Sequence, residues 1–217
     1  MYPRLVVDLK KLKGNLDACA KIVKEDGGCS LMIVTKGLCA DPEMARMVAA
    51  HPAVEFMADS RVANIKTYAA EARAKGKKTV LLRLPMACET AEVVKYVDLS
   101  FNSELATIRL LNEEAGKIGV KHNILLMIDM GDLREGIFYQ NEDQIFSAVA
   151  EILTMPNINL YGVGVNLTCY GAIIPKQDNL GGLAAIARKI EAQFDIKLNV
   201  ISGRADSFFS SSFIYSL

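Results

Sequence analysis

LMIVTKGLCADPEM, residues 31–44, decides how this chain is read. The four apolar residues Leu31 to Val34 form a run of strand length, and Gly37 marks a turn. Asp41-Pro42-Glu43 then has the composition of a helix start: a capping acid, a proline suited to the first helical position, and an acid in the first turn. A buried strand running at once into a helix is half of a strand–helix–strand unit. Between strand and helix stands Lys36, at the polar end of a core strand. That is a poor place for an ordinary surface charge. It suits a partly desolvated amine whose pKa falls toward neutrality. Such an amine can form a Schiff base with an aldehyde, above all with pyridoxal phosphate. A plainer alternative is that Lys36 snorkels from a strand end. This stretch does not choose between them.

Outward from it, the same alternation repeats. An opening strand is expected at about residues 4–8, followed by helical spacing through Leu9, Leu12, Leu16 and Val23. Further core strands are expected to start at 54, 79, 97, 123, 161 and 197. The helices between them include one that Asn102 or Ser103 would cap, one at 142–154 and one at 177–194. Repeated strand–helix alternation means a parallel sheet with right-handed crossovers. No glycine-rich dinucleotide loop follows an early strand, so a doubly wound sheet fits poorly. The expectation is an α/β fold, a (β/α)8 TIM-type barrel with one strand wanting at the C-terminal end. Barrel chemistry sits at the C-terminal ends of strands. Those ends carry Lys36, Asp59, Arg83, Asn102, Asp129, Asn166 and Ser202.

The bulk composition removes several function classes. The 217 residues carry 25 acidic and 25 basic side chains, so no basic stripe argues for nucleic acid. No apolar run reaches membrane-spanning length, and the first residues alternate apolar and charged too soon for a signal peptide. The five cysteines, Cys19, Cys29, Cys39, Cys88 and Cys169, form no Cys-x-x-Cys pair and are read as reduced thiols of a cytoplasmic protein. Two histidines, His51 in a turn and His122 in a polar connection, leave little material for a metal site or a Ser-His-Asp triad.

Three more segments offer chemistry. DMGDLREG, residues 129–136, closes a core strand with an acid, two glycines and Arg134, which suits holding a phenolate or carboxylate or is simply a turn with a surface arginine. Asn166, Thr168 and Tyr170 follow another strand and could hydrogen-bond a ring or line a polar loop. Ser202-Gly203 offers a hydroxyl and backbone amides to a phosphate, or is a plain turn.

The blocks VVDLKKLKGNL (6–16), IVTKGLCAD (33–41), FMADSRVANI (56–65), DLSFNSEL (98–105), DMGDLREGIF (129–138), GVGVNLTCYG (162–171) and VISG (200–203) resemble, in order and spacing, the N-terminal barrel of the alanine racemase-like, pyridoxal-phosphate-dependent family. Within it they are most similar to the branch that racemises ornithine. The resemblance covers residues 2–203. It implies pyridoxal 5'-phosphate bound through Lys36, Arg134 at its phenolate oxygen, and Ser202 and Gly203 at its phosphate. Asn166 falls where alanine racemases place a ring-stacking histidine. The reaction implied is inversion at Cα of ornithine or a similar basic amino acid, with Lys36 as one acid/base; the oligomeric state stays open, a homodimer being one option. A basic substrate would need an acidic partner; Asp59, Glu104 and Asp132 are the candidates. A non-catalytic pyridoxal phosphate-binding barrel of the same fold is the alternative. The resemblance stops at Arg204. Residues 204–217, RADSFFSSSFIYSL, have neither helical nor clean strand periodicity. They are expected to be a divergent tail standing where the family has its last strand and C-terminal β domain, as in a truncated form. The tyrosine that serves relatives as opposite-face base has no counterpart here.

Overall fold

The computed structural model describes residues 3, 6–167, 173–205 and 213–215. Helix α1, Leu9–Ala20, starts where the Asp8 carboxylate accepts the amides of Lys10 and Lys11, and it runs on into a π-turn at Lys21–Asp26. Strand β1 is Leu31–Val34. Helix α2, Pro42–Ala50, begins as its sequence requires: Asp41 caps the amides of Glu43 and Met44, with proline at the first position. There follow β2 (Val54–Asp59), α3 (Val62–Ala74), β3 (Lys78–Leu81), α4 (Thr90–Tyr96), β4 (Leu99–Asn102), α5 (Leu105–Lys117) and β5 (His122–Asp129). After them come the short β6 (Ile137–Phe138), α6 (Glu142–Leu153), β7 (Ile158–Leu167), α7 (Gln177–Phe194), β8 (Val200–Ala205) and β9 (Phe213–Tyr215).

One sheet carries the fold, in the order β1-β2-β3-β4-β5-β7-β8-β9, with β6 pairing on β5 off this path. Neighbours from β1 to β8 are parallel. This is the expected α/β barrel architecture with seven parallel core strands. The strands alternate between two buried layers. Phe56, Ala58, Val80, Leu82, Leu99, Phe101, Leu125 and Met127 form the inner cluster. Met57, Leu81, Ile124, Leu126, Ile128 and Val163 face outward onto Ile65, Ile108, Leu111, Ile145 and Leu183 of the helices. Burying both faces explains why the strands read as continuous apolar runs rather than as alternating ones. Each fully buried side chain of this size contributes about 2 kcal/mol. Gly162 is needed where β7 meets β8: a Cβ there would stand 1.9 Å from the Val200 carbonyl oxygen and 2.9 Å from Leu125 Cδ2.

Four expectations change. Residues 6–8 form no strand, and positions 4 and 5 lie outside the described residues. Helix α5 takes Glu104, not Asn102 or Ser103, as its first flanking residue, because strand conformation persists through Asn102. His122 is not in a polar connection: it opens β5, is 2% exposed, and its Nε2 lies 2.8 Å from Ser100 Oγ. The tail is not devoid of strand. β9 pairs antiparallel with β8, Gly203 opposite Phe213, and lies against β1. No helix among the described residues is long and apolar enough to cross a membrane.

Candidate active site

Parallel strands bring their C-terminal ends to one end of the sheet, and the candidate residues gather there. Met32 and Val34 of β1 pack against the inner cluster. Lys36 follows in the 3-10 turn Lys36–Leu38, after Thr35 has left the extended conformation at φ −91°, ψ −9°. It is exposed rather than partly desolvated, because this turn carries it beyond the sheet layers. Its amine has no hydrogen bond or ion pair among the described residues.

The residue before it is fixed firmly. The Thr35 amide donates to the Ala58 carbonyl at 2.8 Å, and Thr35 Oγ1 donates to Asp59 Oδ2 at 2.7 Å. Asp59 also accepts from the Arg61 amide at 2.9 Å and from Asn64 Nδ2 at 3.1 Å. Tyr68 stands 3.5 Å from Thr35 Oγ1, and its burial drives the phenol's pKa up. Asp59 has the outward parity of Met57. It faces α3, not the inner side, so its carboxylate serves as an anchor for the Lys36 turn and not as a partner for a basic substrate. Cys39 and Ala40 then pass through the left-handed region, φ +50° and +54°, to bring the chain round to α2.

Two other strand-end residues are likewise committed to structure. Arg83 pairs with Glu89 through both guanidinium nitrogens, at 2.5 and 3.0 Å, and donates to the Ser60 carbonyl. Burial pushes the Glu89 carboxyl up, but hydrogen bonds from Arg83 and the Met86 amide outweigh it and leave the group below its ordinary range. Asn102 shares the outward parity of Ser100 and donates back to the Ser100 hydroxyl and carbonyl.

On the far side of the sheet, Gly164, Asn166 and Ser202 occupy inner positions of β7 and β8, and Gly164 is paired with Ser202. Asn166 is 4% and Ser202 3% exposed. Asn166 Nδ2 donates to Glu135 Oε1, and the Arg134 guanidinium Nε lies 3.8 Å from that same oxygen. Glu135, which sequence reasoning passed over, therefore joins Arg134 to Asn166. Nothing in the order of residues signals it, since the link joins the loop after β5 to β7, 31 residues on. Ser202 and Gly203 are not a turn: β9 extends the ladder, so both stay in strand conformation through Ala205. Thr168 and Tyr170 lie outside the described residues. Of the acids considered for a basic substrate, Glu104 is exposed, whereas Asp132 is 6% exposed with both carboxylate oxygens unpartnered.

The donor set fits an aldehyde cofactor bearing an anionic group. It offers the exposed Lys36 amine, the Arg134 guanidinium and the buried Ser202 hydroxyl. No group of three or more His, Cys, Asp or Glu able to hold a metal ion occurs among the described residues.

A parallel α/β barrel with a lysine at the exit of its first core strand defines a class of amine-bearing, small-molecule sites. Residues 7–211 match the family described as alanine racemase, N-terminal domain, and the chain belongs to that family. It is similar to an ornithine racemase of Acetoanaerobium sticklandii, 42% identical over 205 residues, covering 94% of this chain and 55% of that one. It is also similar to a lysine racemase of Thermotoga maritima, 30% identical, covering 94% and 54%. The chain thus spans about half the length of these relatives. Among solved structures it resembles alanine racemase of Clostridium difficile 630, with TM-score 0.71, 18% identity, and coverage of 90% and 50%. It also resembles PipY of Synechococcus elongatus PCC7942 with PLP bound, with TM-score 0.65, 14% identity, and coverage of 88% and 87%.

Proposed function

We propose that this chain forms the lysine-bearing barrel of a pyridoxal-phosphate-dependent amino-acid racemase acting on ornithine. The observation that carries the reading is Lys36: an amine without a partner among the described residues, two residues past the end of β1, beside a buried Thr35–Asp59 anchor. The family and the names of the two relatives support it. When bound, the cofactor supplies an aldehyde that condenses with amines and a conjugated ring that acidifies the substrate Cα–H. Lys36 would hold the cofactor through its aldehyde and would serve as the acid/base on one face of the substrate Cα. Arg134 would hold the phenolate oxygen, Asn166 would contact the ring, and Ser202 with Gly203 would hold the phosphate. Residues 1–203 are taken as this barrel and 204–217 as a divergent tail, although β8 continues to Ala205 and β9 pairs with it.

Cys19, Cys29, Cys39 and Cys88 are free thiols, which supports a cytoplasmic setting. A homodimer goes with the racemase reading. The coverage of PipY, 87% of its length, favours a second reading, a pyridoxal phosphate-binding barrel without catalysis. Cα exchange separates the two. The cofactor-loaded chain in deuterated water is expected to place deuterium at Cα of ornithine, observed by proton NMR. A Lys36-bound cofactor with no exchange in either enantiomer would sink the racemase reading and leave the second.

A further inference from the structure

The loop from Met130 to Gly136 is wound by three residues of positive φ: Gly131 at +107°, Leu133 at +54° and Gly136 at +114°. Gly136 is pressed against the strand it leaves, since a Cβ there would stand 2.6 Å from the Asp129 amide nitrogen. Leu133 is the unusual member. A leucine resists the left-handed region, and here that conformation leaves its side chain 76% exposed. The winding turns the apolar residue out and the acid beside it in.

Asp132 is therefore buried, and neither of its oxygens has a donor. The amides that often satisfy a loop aspartate go elsewhere: Asp129 Oδ1 takes those of Gly131 at 2.9 Å and Leu133 at 3.1 Å. Glu135 is occupied by Asn166. Asn166 Oδ1, at the same end of the sheet, is also buried and bare. Every unpartnered buried side-chain atom among the described residues is an acceptor oxygen. No described residue gives either Asp132 oxygen or Asn166 Oδ1 a hydrogen-bond donor. An ammonium group brings three donors and one charge.

We propose that Asp132 receives the distal ammonium of a diamino-acid substrate and so determines side-chain specificity. This assignment rests on the racemase reading. It selects Asp132 over Asp59, whose carboxylate already has three donors, and over Glu104, which is exposed.

The test is calorimetric titration of the pyridoxal phosphate-loaded chain with L-ornithine and with L-norvaline, its counterpart lacking the distal amine. Wild type is expected to bind ornithine at least about tenfold more tightly. In Asp132→Asn that ratio is expected to fall to about one, with the melting temperature at or above wild type, since the change removes a buried unpaired charge. Asp132→Glu keeps the charge on a longer arm and is expected to shift preference toward the shorter 2,4-diaminobutyrate, a gain that misfolding cannot imitate. Wild-type selectivity in Asp132→Asn, or equal binding of ornithine and norvaline by wild type, would overturn the assignment. Borohydride trapping of the cofactor on Lys36, run on the same samples, reports separately on the racemase reading. A missing adduct with ornithine selectivity intact breaks that reading alone.

Discussion

The turn after β1 and the loop after β5 leave the same end of the sheet, and both pass through positive φ at non-glycine residues, Cys39 and Ala40 in one and Leu133 in the other. Each lies near a buried aspartate. Asp59 has its donors, from Thr35, the Arg61 amide and Asn64. Asp132 has none. A buried carboxylate with its hydrogen bonds made is scaffold: it fixes the backbone that presents Lys36. A buried carboxylate with none leaves a demand that the fold itself does not meet. The two turns therefore differ in kind, one presenting an exposed amine beside a satisfied carboxyl and the other burying a carboxyl without donors.

The comparison breaks most visibly at Lys36 itself. Lys36→Met should abolish cofactor trapping at this position and lower Cα exchange by at least about a hundredfold, while leaving the urea midpoint unchanged because the side chain is exposed. Trapping that persists at wild-type level in this variant would remove Lys36 from the account. Next comes the anchor. Asp59→Ala strands the Thr35 hydroxyl, the Arg61 amide and Asn64, and should cost about 3 kcal/mol in urea unfolding. Trapping at Lys36 should slow as well, because its turn is released. An unchanged midpoint would mean that the Thr35–Asp59 bond is not what fixes the turn.

A third buried group shows what partial satisfaction does. Burial pushes His122 down from 6.5 to about 4, with the nearby Asp98 charge opposing. Between those values the unfolded chain binds a proton that the folded chain refuses. Stability is thus complete above pH 6.5 and declines as pH falls toward 4, by about 3 kcal/mol in all. Urea unfolding across this window should show the slope in wild type and a flatter profile in His122→Gln. Equal slopes would contradict it. The smallest effect has the opposite sign. Asp132→Asn should leave stability unchanged or raise it by up to about 2 kcal/mol, since it removes a charge that has no partner. A large loss would show Asp132 to be scaffold like Asp59.

The sequence carried the frame further than the site. Short apolar runs located all seven parallel strands, because burial on both faces writes itself as continuous Val, Ile and Leu. The Asp41-Pro42-Glu43 start of α2 was equally plain. The same continuity hid which strand-end residues face inward. Asp59 and Asn102 read as members of a polar rim, yet both carry the outward parity of Met57 and Ser100. When both faces are apolar, a period of two does not say which face is which. His122 looked like part of a polar connection because Lys121 and Asn123 flank it. Its burial depends on Ser100, 22 residues away. The Glu135–Asn166 link joins a loop to β7 and leaves no local signal. Strand β9 was missed because three residues amid serines and phenylalanines are too short a run to show a period.

The most direct test of the account is borohydride reduction of the chain with pyridoxal phosphate, followed by peptide mass mapping. One dominant adduct is expected, on the peptide that carries Lys36, lost in Lys36→Met and diminished in Asp59→Ala. Adducts scattered over the exposed lysines, with Lys36 no more reactive than the rest, would contradict it.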